Sequence, residues 1–300
     1  MSSESINILK PQNWKEYELI DSGNFEKLER FGPYITSRPE PQAMWDKSLS
    51  ENEWLNQAHA IFKREKNNPE KGNWEILKNN LKAEKWFLNY TLENHSLKFK
   101  LSLSSFKHVG IFPEQAENWE YIYTKVKKMP LDSPKVLNLF AYTGGASLAA
   151  KAAGAEVTHV DSIKAVITWA RENMEASHLD NIRWMAEDAL KFVKREVRRE
   201  NKYQGIILDP PAYGRGANGE KWILEEQINE MLKLCHELLD PQNHFLIINL
   251  YSLGFSALIL ENLLNSSFPQ AKNMDLGELY LPDKFGKKLP LGIYGRFSSI

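Results

Sequence analysis

The run "VLNLFAYTGGASLAAKAAGAEVTHVD", Val136 to Asp161, decides how this chain is read. Its start, "VLNLF", and its end, "EVTHVD", are short apolar runs of strand length. Between them Gly144-Gly145 lets the backbone leave the first strand and approach a ligand closely before a helix begins. A strand, a glycine turn, a helix and a second strand make one βαβ unit, with parallel strands and a right-handed crossover.

The alternation continues beyond Asp161. Further apolar runs stand at "IRWMAED" (182–188), "GIILD" (205–209) and "HFLIINLY" (244–251), separated by amphipathic helical stretches such as "SIKAVITWARENMEASHL" and "EEQINEMLKLCHELLD". This predicts an α/β domain whose parallel sheet is covered on both faces. The pattern breaks near residue 130, placing the α/β domain at 130–300 and a smaller region at 1–129. In that region Leu97, Phe99, Leu101 and Leu103 alternate with Lys98, Lys100 and Ser102, and "ENHS" (93–96) supplies the turn of a β-hairpin. Upstream, "ERFGPYITSRPEPQAMW" has no long helical period until about Glu51, yet its aromatic residues need burial. The region is therefore a small α+β domain and not a disordered tail.

Composition narrows the function classes. The 300 residues are 42% hydrophobic and 26% charged, with a net charge of -1 and a pI near 6.7, so any nucleic-acid binding must rest on a local patch. One cysteine, Cys235, excludes an intrachain disulfide framework and fits a reducing compartment. The start, "MSSESINILK", has no leader pattern and no run is long enough to span a bilayer, so the chain reads as soluble and cytoplasmic, with no membrane partner.

Ligands of open parallel sheets bind beyond the carboxyl ends of the strands, so each strand tip counts. The second ends at Asp161, at the right distance for a carboxylate that accepts from ribose hydroxyls, the third at Glu187-Asp188, and the fourth at Asp209. Asp188 can accept from an exocyclic adenine amine. Pro210 and Pro211 cannot extend a central strand, so they lead the chain out of the sheet and hold Asp209 on a stiff base. The glycine turn lacks both the dinucleotide spacing and a phosphate-binding lysine. Three acidic tips after such a turn outline a nucleoside pocket better suited to a cationic sulfonium than to a pyrophosphate.

Taken in order, "VLNLFAYTGGASLAAKAAGAEVTHVD", "AEDALKFV" and "DPPAYGRG", with the upstream "HVGIFPEQAENW", resemble the class I S-adenosylmethionine-dependent methyltransferases, most closely the branch acting on bacterial 23S ribosomal RNA. The resemblance covers roughly residues 100 to 300. It implies a Rossmann-like seven-stranded sheet whose last hairpin comes from "DLGELYLP" and "GIYGRFSSI". It also implies S-adenosylmethionine as cofactor and RNA, ribosomal RNA above all, as substrate. The cofactor would be lined by Asn138, Phe140, Tyr142, Thr143, Gly144, Gly145, Asp161, Ser162, Asp188, Ala189 and Asp209, joined by Phe112 and Gln115 from an element that closes over it.

The sequence departs from those relatives that methylate carbon 5 of cytosine through a thiolate. The corresponding strand, "IINLYSLGF", has no cysteine, and Cys235 sits in the helical run "INEMLKLCHELL" as a small core residue. Direct transfer to nitrogen or oxygen remains. Asp209 can hold an acceptor N–H, the Pro210 carbonyl can take a second, and Tyr213 either stacks on a flipped-out base or packs under the loop. The known Asx-Pro-Pro-aromatic pattern has its ring one residue earlier, where this chain has Ala212. Lys191, Lys194, Arg195, Arg198 and Lys202 form a cationic helical face that is either a solvated surface or a route for RNA, while Arg215 and Lys221 flank the flexible "GRGANGE" beside Asp209. A small-molecule or protein acceptor, or a cofactor-binding module without catalysis, stays open on the residues alone.

Overall fold

The computed structural model describes residues 6–12, 14–65, 68–81, 85–104, 106–216, 219–251 and 254–300. The first five residues of the leader reading, Ala217-Asn218 of the "GRGANGE" segment and Ser252-Leu253 of "IINLYSLGF" lie outside the described residues. The chain forms two compact units. One comprises Gln115–Leu279, Gly292–Ile300 and the N-terminal residues as far as Leu9; the other comprises Lys10–Glu114 and Tyr280–Leu291.

The second unit is mainly β. Strands β2 (Tyr17–Gly23), β3 (Glu26–Phe31), β4 (Tyr34–Pro39), β5 (Ala60–Glu65) and β6 (Asn68–Ile76) form one sheet in that order, and β7 (Trp86–Leu92) pairs with β8 (His95–Leu101) as a hairpin. The hairpin turn is Glu93-Asn94, and Leu97, Phe99 and Leu101 are buried as their alternation requires. Helix α1 (Glu51–Gln57) starts at a capping box in which Ser50 and Glu53 each bond the other's backbone N–H, and it buries Trp54. The sheet also buries charge: Arg38 Nε and Nη2 hold Glu29 at 2.6 and 3.0 Å, and the Tyr17 hydroxyl donates to the same carboxylate at 2.9 Å. Breaking such a buried pair leaves an unpaired charge and costs about 3–5 kcal/mol.

The first unit is the α/β domain, and the ends of its last two strands, within Tyr280–Leu291, cluster with the second unit. Strands β1 (Asn7–Leu9), β9 (Lys135–Leu139), β10 (Glu156–Asp161), β11 (Arg183–Ala186), β12 (Gly205–Leu208), β15 (Phe245–Leu250), β16 (Asp275–Pro282) and β17 (Lys288–Ser298) form an eight-stranded sheet in the order β1-β16-β17-β15-β12-β9-β10-β11. Strand β9 pairs in parallel with β10 and β12, β12 with β15, and β17 runs antiparallel to β15. A short ribbon, β13 (Tyr213–Arg215) with β14 (Lys221–Ile223), stands apart from this sheet. The helices are α2 (Ala116–Lys128), α3 (Gly145–Ala152), α4 (Lys164–Ala176), α5 (Ala189–Arg198), α6 (Leu224–Leu238) and α7 (Ala257–Ser267). Helix α2 lies ahead of residue 130 in sequence but clusters with this unit.

The expected seven strands are present, and the sheet is corrected to eight by β1. Three residues without alternation give no readable strand pattern; β1 is fixed instead by its partner. Asn7 Nδ2 donates to Asp275 at 2.7 Å, and a Cβ at Gly277 would lie 2.0 Å from the Asn7 carbonyl oxygen, so only glycine admits this edge.

Side-chain alternation sorts the helices onto two faces. Leu137, Leu139, Ile206, Leu208, Leu246 and Ile248 join Phe192, Leu232, Cys235 and Leu260 of α5, α6 and α7 in one buried cluster. The alternate residues point the other way, where Asn138 meets Ser147 of α3 and Phe245 meets Tyr121 of α2. Each large aliphatic side chain buried in this way contributes about 1.5–3 kcal/mol. Among the described residues no helix is long and apolar enough to cross a membrane, and no cluster of His, Cys, Asp and Glu could hold a metal ion.

Candidate active site

The tip of β9 carries the most distorted backbone of the α/β unit. Phe140 and Tyr142 have φ of 56° and 47°, and Gly144 has φ of 91°. Left-handed backbone costs a non-glycine residue roughly 1 kcal/mol or more, and it persists only where the surroundings hold it. Here several do. Asp161 at the tip of β10 accepts from Tyr142 N at 3.0 Å and from Ile163 N at 2.9 Å, Asn173 Nδ2 donates to the Thr143 carbonyl at 2.9 Å, and Ala141 N donates to the Val160 carbonyl at 3.1 Å.

The two glycines of the turn act differently. Gly144 is required by its left-handed φ, whereas a Cβ at Gly145 would stand 2.6 Å from the Trp119 ring, so Gly145 serves packing against α2. Asn138 is buried beneath the loop, donating to Ser147 Oγ at 2.9 Å, and that oxygen lies 3.0 Å from His159 Nδ1. Burial pushes the His159 imidazole down to about 3, so this inner chain is uncharged at neutral pH. Thr143 is buried as well. Asn138, Thr143 and Gly145 thus shape the loop from within, while Tyr142, Asp161 and Ser162 are partly open at its rim beside the exposed Ile163.

At the third tip Asp188 caps α5, its Oδ1 accepting from Lys191 N at 2.9 Å, and Ala189 is buried as the first helical residue. Gln115 stands at the start of α2 and accepts from Asn118 Nδ2 at 2.8 Å. Phe112 belongs to the other unit, its ring 5.0 Å from that of His108.

The fourth tip is built by different means. Asp209 is half-buried and accepts from Asn249 Nδ2 at 3.2 Å, the amide coming from the matching position of β15. Burial raises the Asp209 carboxyl to about 6, against the opposing pull of that hydrogen bond. The Trp222 indole donates to the Pro211 carbonyl at 2.7 Å, and Leu224 N donates to the Ala212 carbonyl at 3.0 Å. Among the described residues the Pro210 carbonyl has no such donor. Trp222 also packs on Phe140, ring centroids 4.7 Å apart, which ties the fourth tip to the first. The Tyr213 ring is 51% exposed on β13, and its hydroxyl accepts from Arg215 Nε at 2.9 Å.

Asn249 and Trp222 escaped sequence reading. Asn249 could have been found as the single polar side chain in the apolar run "FLIINL"; Trp222 gave no sign, because its partners lie on other loops. Cys235 is fully buried in α6 and its thiol is pushed far above the ordinary range, so it is no nucleophile.

A parallel sheet with an antiparallel β17, a left-handed glycine turn at the first tip and carboxylates at the next three defines a Rossmann-like nucleoside-binding enzyme domain. Residues 67–272 match the family model of S-adenosylmethionine-dependent methyltransferases, and the chain belongs to that family. It is similar to the crystal structure of an S-adenosylmethionine-dependent methyltransferase from Agrobacterium tumefaciens, with 39% identity, a TM-score of 0.89, and coverage of 98% of this chain and 94% of that one. It is also similar to two proteins named ribosomal RNA large subunit methyltransferase K/L. The one from Shewanella frigidimarina is 32% identical over 52% of this chain, and the one from Pseudoalteromonas translucida 28% identical over 53%. The chain spans 22% of the length of either relative.

The residues fit the family's cofactor. The loop after β9 has no lysine or arginine to bind phosphate, and Tyr142, Asp161 and Ser162 stay partly open at its rim. The acidic tips complement a sulfonium and the polar edges of a nucleoside.

Proposed function

We propose that the chain transfers a methyl group from S-adenosylmethionine to a nitrogen or oxygen of RNA, with ribosomal RNA as the substrate class. One observation carries the reading. Among the described residues Asp209, on a diproline base, has a single side-chain hydrogen bond and the next carbonyl, that of Pro210, has no donor, beside an exposed tyrosine. The names of the ribosomal RNA methyltransferase relatives support the substrate class.

Tyr142, Asp161, Ser162 and Asp188 would hold the ribose and base of the cofactor. When bound, S-adenosylmethionine supplies a methyl carbon already activated by the sulfonium. A nitrogen acceptor would be positioned by its own N–H groups, one donating to Asp209 and one to the Pro210 carbonyl, and an oxygen acceptor by its O–H donating to Asp209, so that the lone pair points along the line of transfer. As the methyl group is given up by the sulfonium, the acceptor's surplus proton would pass to water or to Asp209, whose carboxyl at about 6 is ionised and receptive at neutral pH. Tyr213 would stack on the extruded base.

The test is mass mapping of ribosomal RNA from a strain lacking the gene, with complementation. The expected result is loss of one methyl group, restored by the intact protein and not by Asp209→Asn. An unchanged set of RNA methyl groups would refute the RNA reading.

A further inference from the structure

Between the third tip and the β13–β14 ribbon lies an open cleft of about 340 Å³, lined by Lys191, Lys194 and Arg198 of α5, Lys221 of β14, and the acidic Asp188 and Glu220. The cations on α5 and just after it divide into two sets. Lys194 Nζ pairs with Glu230 at 2.7 Å, Arg195 pairs with Glu187, and Lys202 Nζ donates to the Glu237 carbonyl. Lys191, Arg198 and Lys221 have no ion pair or hydrogen bond from their side chains among the described residues, and all three converge on the cleft.

The short ribbon repeats this imbalance. Arg215 stands directly opposite Lys221 in the β13–β14 register, a like-charge pairing that weakens a ribbon only three residue pairs long. Of the two carboxylates in the cleft, Asp188 is already engaged as the cap of α5. An anion of extended shape would relieve the repulsion among Lys191, Arg198, Lys221 and Arg215, and a chain of phosphodiesters is such an anion. Lys221 directly precedes Trp222, which anchors the Pro211 carbonyl, so an anion seated here lies next to the turn that carries Asp209.

We infer that this cleft binds the phosphodiester backbone of the RNA strand bearing the acceptor, with Lys191, Arg198 and Lys221 as the contacts that set its register against Asp209. The inference rests on the RNA reading above and adds the surface that recognises the strand. The cationic face is divided: Lys194, Arg195 and Lys202 are engaged within the protein, and Lys191 and Arg198 serve binding.

The experiment titrates the full chain, the triple variant Lys191→Ala, Arg198→Ala, Lys221→Ala, and a charge-matched triple Lys128→Ala, Lys233→Ala, Lys272→Ala. The probe is a fluorescent single-stranded RNA of about 20 nucleotides at salt from about 50 to 200 mM. The cleft triple is expected to bind about 100-fold more weakly at the lowest salt, with a salt slope smaller by about 2 because each phosphate contact on a single strand contributes about 0.7. The matched triple should change affinity less than about threefold, and S-adenosylhomocysteine affinity should be unchanged in both. Competition by inorganic phosphate at concentrations where RNA competes would assign the cleft to a free anion and overturn the inference. Equal weakening by the two triples, or none by the cleft triple, would overturn it while leaving the RNA reading intact. Absence of RNA binding by the unaltered protein would refute both.

Discussion

Two carboxylates at strand tips on either side of β9 are held in opposite ways. Asp161, ending β10, is enclosed by backbone: Tyr142 N and Ile163 N donate to its two oxygens, and the loop after β9 keeps its left-handed residues partly because of them. Asp209, after β12, has one side-chain amide for company and a turn stiffened by proline rings and an indole. Both carboxyls are pushed up by burial, yet backbone donors counter that push at Asp161, while at Asp209 only Asn249 does and the carboxyl reaches about 6. A carboxylate with a main-chain donor on each oxygen shapes a loop. One left with unused acceptor capacity can receive a substrate.

The sharpest way to break the comparison is Asp209→Asn, which keeps an oxygen for Asn249 but loses the charge. Single-turnover transfer at saturating cofactor should fall by about 10³-fold. The same variant should be more stable than the native protein at pH 8. A carboxyl raised to about 6 in the fold penalises the ionised folded form, a cost fully present above about pH 6 and absent below the unfolded value near 4. Denaturant melts should therefore show a gain of about 1–3 kcal/mol at pH 8 that vanishes at pH 4. A variant destabilised at both pH values would contradict this account.

Asp161→Ala should act on the other side of the comparison. Loss of two charge-assisted bonds to the loop is expected to cost about 2–3 kcal/mol of stability, read by thermal melting. Next in size is the pH dependence: transfer should decline as pH falls through about 6, because the protonated Asp209 no longer accepts in the same way. Asn249→Leu removes the one bond that lowers this carboxyl and should move the acidic limb upward by about one unit. An unmoved limb would assign the titration to another group. Cys235→Ser is the smallest effect, with full activity and about 1–2 kcal/mol lost to a hydroxyl in the α6 core.

What could be read from the chain follows from local periodicity. The strands "EVTHVD" and "GIIL" and the helix at Leu224–Leu238 show in sequence because burial on both faces or on one stripe leaves a pattern within a few residues. The carboxylates at the tips were legible because a strand end and a turn residue are both local features. The partners that give Asp161 and Asp209 different characters were not, since Tyr142 is 19 residues away and Asn249 is 40, and which N–H or amide arrives at a carboxylate is settled only by strand order. Edge strand β1 was hidden for the same reason: its pairing with β16 bridges nearly the whole chain. The packing need for glycine at Gly145 was hidden too, because Trp119, which a Cβ there would meet, comes from a helix before the sheet.

The claim that one carboxylate holds the cofactor loop while the other holds the acceptor is tested most directly by calorimetric titration of S-adenosylhomocysteine into Asp161→Ala and Asp209→Ala side by side. The predicted result is a loss of about 100-fold in affinity for Asp161→Ala and less than about tenfold, about 1.4 kcal/mol, for Asp209→Ala. Equal losses, or the larger loss at Asp209, would contradict the account.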